Sequence, residues 1–101
     1  MPVLAIFTGT GITRQMYDSV RKEIRWESQH PAGAILHVAS FDESGNLHVA
    51  DVWESAELMD AFVKSRLVPA MQKLGVPPPN AVVFPTFNIN AFSGVEKFRL
   101  R

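Results

Sequence analysis

The strand-forming segments of this chain are apolar at both odd and even positions, and this feature limits the folds open to it. The segments are VLAIFTG (3–9), AILHVASF (34–41) and LHVADVW (47–53). Because successive side chains of a strand point to opposite faces, a sheet built from them has two apolar faces. Helices on one side cover one face only. We expect the other to be covered by a second copy of the chain or, as the alternative, by the chain's own C-terminal tail.

Strand and helix signals follow the order βαββαβ. Thr13 is the predicted N-cap of a first helix that runs to about Gln29, before Pro31. Ser55 is the predicted N-cap of a second helix, in which Pro69 produces a kink or a restart. Two right-handed βα units in one sheet predict an α+β, ferredoxin-like domain over residues 1–101, with a four-stranded antiparallel sheet and both helices on one face.

The turn DESGN (42–46) sets the register of the central hairpin. With a left-handed glycine in that turn, His37 is predicted opposite Asp51, Ser40 opposite His48, and Ile35 opposite Trp53. That register places His48 on the opposite sheet face, at the expected interface.

The last strand is predicted over AVVFPTFNINAF (81–92). Pro85 cannot donate a ladder hydrogen bond, so this strand should lie at an edge or be bulged. Residues 93–101 are predicted as a tail or a short extra strand.

Composition excludes several classes of function. The 101 residues carry 10 Lys and Arg against 10 Asp and Glu, so no net field attracts nucleic acid or an anionic membrane. The absence of cysteine, of a signal peptide and of a run of about 20 apolar residues predicts a cytoplasmic protein. Three histidines without cysteine or spaced carboxylates form no recognisable ligand set, so we expect no metal site.

The segment DVWESAELMDAF (51–62), together with RLVPAMQKLG (66–75), resembles the dimeric α+β barrel superfamily, and within it the antibiotic-biosynthesis-monooxygenase-like proteins. The resemblance covers nearly the whole chain. It implies a homodimer and a pocket beside Trp53 for a small, often aromatic or polycyclic molecule. Members include cofactor-free oxygenases, haem-degrading enzymes, isomerases and simple binding proteins. Phe62 replaces a frequent histidine and Val49 a frequent asparagine, differences that count against oxygenation and more strongly against haem. We therefore expect no cofactor.

His37 and Asp51 are the candidate catalytic pair. Their Cβ atoms would lie about 5 Å apart across the hairpin. The carboxylate would orient the imidazole and leave its second nitrogen to move a proton. The structural alternative is a polar pair that only holds the hairpin register.

Four further residues are candidates for substrate binding. Trp53 would form a pocket wall or ordinary core, and Tyr17 would offer its hydroxyl to a ligand or to an internal partner. Phe62 would line the pocket, and Asn88 would contact a ligand or the partner subunit from the last strand. Trp26 is predicted to cover an edge.

Two functions are consistent with these residues. The first is a cofactor-independent monooxygenase or isomerase acting on a small aromatic or polyketide-like molecule, which requires a cavity that reaches solvent beside His37. The second is a non-catalytic ligand-binding or structural homodimer, in which side chains fill that space.

Overall fold

A computed structural model describes residues 1–100 and has the predicted ferredoxin-like architecture. The sheet is antiparallel throughout, with strand order β2-β3-β1-β4, and β4 lies at an edge as predicted. Its elements, in chain order, are β1 (Val3–Gly9), α1 (Arg14–Ile24), β2 (Ala34–Phe41), β3 (Leu47–Trp53), α2 (Ala56–Phe62), a π-helical turn (Val63–Leu67), α3 (Val68–Leu74), β4 (Asn80–Pro85) and a 3-10 turn (Ser93–Phe98).

The core lies between the helices and one face of the sheet. Alternate residues of the central strands point into it, because a strand has a period of two. Val3 and Ala5 of β1 pack with Trp53 of β3, under Met59 and Phe62 of α2. A second cluster joins the other ends of the strands to α1 and α3; its buried members are Ile12, Val20, Leu47, Val49, Met71 and Val76.

The predicted second helix is divided by a π-helical turn. Pro69 is the second residue of α3 and has no N–H to donate to the carbonyl of Ser65, so a regular α-helix cannot run through this point. The π-helical turn at Val63–Leu67 accommodates the missing donor. Its hydrogen bond spans five residues and not four, from the N–H of Val68 to the carbonyl of Val63. The predicted kink or restart is thus confirmed, and the irregular turn precedes the proline.

The first helix ends earlier than predicted. Helix α1 stops at Ile24, and Arg25 adopts a left-handed conformation with φ 57°; the prediction of a helix to Gln29 was wrong. Arg66 donates hydrogen bonds to the carbonyls of Ile24 and Gln29, the latter at 2.7 Å. A distant side chain thus satisfies carbonyls that the broken helix leaves free. The reversal also takes Trp26 off the helix.

The central hairpin has the predicted register at its turn end but not at its open end. His37 pairs with Asp51 and Ser40 with His48, and Gly45 is left-handed with φ 83°. Trp53 pairs with Ala34, not with Ile35, because a bulge lies between Ala34 and Leu36. The extra residue shifts the pairing by one on the far side of the bulge only.

Strand β4 is shorter than predicted. It ends at Pro85, and a last hydrogen bond joins the N–H of Thr86 to the carbonyl of Pro2 at 2.9 Å. The predicted strand to Phe92 was wrong, so Asn88 does not lie on it. The short extra strand predicted as an alternative for the tail is instead a 3-10 turn.

The sheet face away from the helices is apolar and open in the single chain. Leu36, Val38, Val82 and Phe84 lie on this face and are 38% to 51% exposed. The tail does not bury its own aromatic side chains, since Phe87, Phe92 and Phe98 are each at least 77% exposed. The prediction of a sheet with two apolar faces is confirmed.

Gly33 provides a test of the packing between β2 and α2. Its φ of 86° disfavours any residue with a Cβ, and a Cβ there would lie 2.6 Å from Leu58 Cδ1 and 2.9 Å from Leu58 Cβ. Gly45 has the same kind of backbone, with φ 83°, but nothing within 4 Å of a Cβ. We expect Gly45→Ala to lower the free energy of unfolding by about 1–2 kcal/mol and Gly33→Ala to lower it further, as measured by urea denaturation. Equal losses would show that Leu58 moves aside freely.

Candidate functional site

A buried carboxylate lies at the centre of the site. Asp51 is 5% exposed and points to the helix side of β3, as does Trp53 two residues later. Its Oδ1 lies 2.6 Å from Nδ1 of His37 on the neighbouring strand, and its Oδ2 accepts a hydrogen bond from Trp53 Nε1 at 3.2 Å. The structure therefore brings the predicted His37–Asp51 pair together and adds Trp53 as a second donor to the carboxylate.

The second nitrogen of His37 is occupied by a residue of α1. Its Nε2 lies 2.6 Å from the hydroxyl of Tyr17. Because an ionised carboxylate only accepts, the hydrogen-bond network assigns the proton of a neutral His37 ring to Nδ1, and Nε2 then accepts from the Tyr17 hydroxyl. The sequence left this nitrogen free to meet a substrate, but the structure places Tyr17 there.

Tyr17 remains protonated over the ordinary pH range. Burial, the largest cause, raises the pKa of its phenol to about 12. The nearby Arg21 guanidinium lowers this pKa, whereas the carboxylates of Glu27, Asp51 and Asp18 raise it. The hydroxyl has no protein hydrogen-bond partner besides His37 among residues 1–100. Its oxygen therefore keeps lone pairs for another donor.

Trp26 belongs to the site, although its sequence position predicted only that it covers an edge. Its ring centroid lies 4.5 Å from that of His37, and its edge-on neighbours are Trp53 at 6.2 Å and Phe62 at 5.4 Å. A helix continued to Gln29 would direct this ring elsewhere. The left-handed Arg25 places it over the imidazole, and no pattern in α1 signals that reversal.

Arg21 is the second site residue that sequence reasoning missed. It lines the same cavity, one helical turn after Tyr17. Its Nη1 donates to Oε1 of Glu27 at 2.9 Å. Its Nε is buried 3.4 Å from Oδ1 of Asp18, without a well-formed hydrogen bond. Two carboxylates thus compensate this charge.

These groups surround a cavity of about 90 Å³ between the sheet and the helices. Most of its wall is apolar, and the side chain of His37 is 18% exposed beside it. Five of the six predicted site residues line it: Tyr17, His37, Asp51, Trp53 and Phe62. Asn88 does not line it, because the strand predicted to carry it ends at Pro85. The other lining residues include Phe7, Trp26, Met59, Leu67 and Met71.

Among residues 1–100, no group of three or more His, Cys, Asp or Glu side chains is placed to hold a metal ion. In the same range, no helix has the length and apolar character needed to cross a membrane.

Comparison with solved structures gives a consistent picture of the fold. A protein from Chloroflexus aurantiacus provisionally assigned as an antibiotic biosynthesis monooxygenase superposes with a TM-score of 0.67 at 13% identity, covering 90% of this chain and 98% of that one. Rv0793 from Mycobacterium tuberculosis gives the same score and identity, over 90% of this chain and 100% of that one. SnoaB, a cofactor-independent oxygenase from Streptomyces nogalater, superposes with a TM-score of 0.62 at 11% identity, covering 87% of this chain and 94% of that one.

This chain has the fold of the antibiotic-biosynthesis-monooxygenase-like proteins. The resemblance stated from DVWESAELMDAF is confirmed at that level. No family model matches the sequence. No curated protein matches it either. At 11% to 13% identity, the comparison shows the fold and not the function.

The chain contains one tyrosine, so absorbance at alkaline pH reports Tyr17 alone. We expect its phenol to ionise near pH 12 in the folded protein and near 10 after unfolding. Arg21→Gln should move the folded value up, because it removes the cation that favours phenolate. Since the folded pKa is the higher one, the unfolded state loses its proton first, and stability should fall as pH rises from 10 to 12. Tyr17→Phe should lack this component. A folded value near 10, with circular dichroism unchanged, would mean that the hydroxyl is exposed.

Proposed function

We propose that this protein is a cofactor-independent enzyme that takes a proton from a small aromatic substrate as the first step of an oxygenation or an isomerisation. The observation that carries the proposal is the hydrogen-bonded chain Tyr17–His37–Asp51, which begins at the wall of an apolar cavity. A base buried beside an apolar binding space is the arrangement that proton abstraction needs.

In this proposal, Tyr17 contacts the substrate and His37 accepts the proton. A substrate hydroxyl gives its proton to the oxygen of Tyr17 while Tyr17 gives its own to Nε2 of His37. One O–H bond breaks in the substrate, and one N–H bond forms on the imidazole. The electron pair stays on the substrate, and Asp51 stabilises the imidazolium. Because the two proton transfers are concerted, the Tyr17 side chain does not accumulate as phenolate, which is consistent with its pKa of about 12.

The substrate decides the step that follows. In an oxygenation, dioxygen oxidises the substrate anion: a ring carbon forms a C–O bond to dioxygen, the peroxide takes the proton back from His37, and loss of water with cleavage of the O–O and C–H bonds leaves a carbonyl. In an isomerisation, the anion is protonated at another atom and no oxidant is needed. The shared fold with SnoaB, itself a cofactor-independent oxygenase, supports an oxygenation. Phe62 and Val49, which replace a frequent histidine and a frequent asparagine of the family, count against it.

A non-catalytic binding or structural protein is the second candidate. The observation that favours it is the burial of Asp51, whose two oxygens are both hydrogen-bonded within the protein. Such a pairing also stabilises the hairpin register. Against it stands the cavity beside His37, a space that this candidate predicts to be filled.

We also propose that the protein is a homodimer formed by the open sheet face. Leu36, Val38, Val82 and Phe84 lie on the two edge strands of a continuous apolar surface that crosses all four strands, with Leu4, Ile6, Ala50 and Val52 between them. The face is self-complementary in character, and zero net charge puts no overall repulsion between copies. Burying it against a second copy removes apolar area from water at about 25 cal/mol per Å².

Asp51→Asn tests the enzymatic proposal because it keeps shape and removes charge. Oxygen uptake and product formation would be followed by electrode and mass spectrometry, with single-ring and fused-ring hydroxyaromatics, without added metals or cofactors. We expect turnover by the wild type, and a loss of about 100-fold or more in Asp51→Asn and in His37→Gln. Asp42→Asn is the matched control, since Asp42 pairs with His48 outside the cavity at 2.8 Å. Full activity in both site variants would overturn the role of the pair.

Val38→Glu tests the homodimer. Val38 is 48% exposed on the open face, whereas Leu74 is 39% exposed at the end of α3. We expect light scattering to find a dimer for the wild type and for Leu74→Glu, and a monomer for Val38→Glu, because a buried unpaired carboxylate is costly. A wild-type monomer at micromolar concentration would refute the proposal.

A further inference from the structure

We propose that the cavity is specific for an uncharged, single-ring phenol whose hydroxyl donates to Tyr17. This rests on the proposed function in taking the cavity beside Tyr17 and His37 as the substrate site, and it adds the size, the polarity and the charge of the substrate. Each of these follows from a different observation.

Size follows from the volume. A cavity of about 90 Å³ is smaller than the apolar cavity of about 150 Å³ that accommodates benzene in an engineered protein, so one ring already requires a close fit. The walls combine aliphatic and aromatic side chains, and two of the aromatic ones, Trp53 and Phe62, are only 1% and 6% exposed. Close-packed side chains of this kind resist a second fused ring.

Polarity follows from the hydrogen-bond chain. The Asp51 carboxylate fixes the proton on Nδ1 of His37, and the Tyr17 proton is then directed to Nε2. Tyr17 lines the cavity, and with its proton committed to His37 its hydroxyl oxygen would act toward a ligand as an acceptor. A ligand with a hydroxyl satisfies this oxygen, whereas an ether or a hydrocarbon of the same size does not.

Charge follows from the pairing of the ionic groups around the cavity. Arg21 is the cation of the wall, and two carboxylates already balance its charge: Glu27 accepts from its Nη1 at 2.9 Å, and Asp18 lies 3.4 Å from its Nε without a well-formed hydrogen bond. Asp51 carries a negative charge beside His37. A carboxylate ligand would lose its hydration without gaining an unpaired cation. Burial disfavours the charged form of Tyr17 and keeps its phenol protonated. The same loss of hydration disfavours a charged ligand in the cavity.

Titration calorimetry at pH 7 tests the three properties without requiring turnover. The ligands are phenol, toluene, anisole, benzoate and 2-naphthol. We expect phenol to bind tightest and toluene, which has the same size, about fivefold more weakly for want of one neutral hydrogen bond. Anisole should bind more weakly still, because it is also one carbon larger, and benzoate and 2-naphthol should not bind measurably. Comparing phenol with toluene and anisole uses the wild-type protein alone, so it does not depend on a variant that folds.

Two variants then locate the interactions. Tyr17→Phe should reduce phenol affinity to that of toluene and leave toluene unchanged. Leu67→Ala shortens a side chain of the wall, enlarges the cavity and should admit 2-naphthol. Leu74→Ala should not, because Leu74 does not line the cavity. Circular dichroism confirms the fold of each variant.

Several results would overturn the inference: benzoate binding as tightly as phenol, toluene equal to phenol, 2-naphthol bound by the wild type, or no ligand bound at all. Phenol binding without any turnover would leave the inference intact and count against the enzymatic proposal. Turnover of a fused-ring or anionic substrate that depends on Asp51 would support the enzymatic proposal and overturn the inference on substrate class.

Discussion

The buried carboxylate of Asp51 needs hydrogen-bond donors, and meeting that need fixes how the first helix packs on the sheet. Asp51 is almost inaccessible to water, and an unpaired charge there would cost several kcal/mol. Its partners come from different elements: Trp53 from the same strand, His37 from β2 and, through His37, Tyr17 from α1. The sheet and the first helix are therefore connected through one polar chain inside an otherwise apolar core.

The two faces of β3 serve different purposes because its side chains alternate. Asp51 and Trp53 point to the helices and contribute a base and a wall to the cavity. Ala50 and Val52 point to the open face, where apolar side chains of all four strands meet. A one-residue slip of this strand would exchange the two sets and destroy both the site and the proposed interface. The register of a single hairpin is thus linked to both proposed properties.

The parts of the site that depend on local interactions could be predicted from the sequence, and the parts that depend on distant contacts could not. The pairing of His37 with Asp51 was predicted because a five-residue turn sets it, and the turn chemistry is local. Ile35 was misplaced because a bulge intervenes. Trp26 was missed because α1 stops at a left-handed arginine whose neighbouring carbonyls are capped by Arg66, 37 to 42 residues away. No periodicity within the helix contains that information.

The sequence by itself determined the order of elements, the antiparallel sheet with two apolar faces, the capping of the helices, and the approach of His37 to Asp51. These follow from side-chain periods, turn residues and caps, which act over a few neighbouring positions. Tertiary structure decided that Tyr17 occupies the second nitrogen of His37, that Trp26 covers the imidazole, and that a small cavity remains. Those outcomes depend on contacts between residues 11 to 42 positions apart, formed only when the helices pack on the sheet.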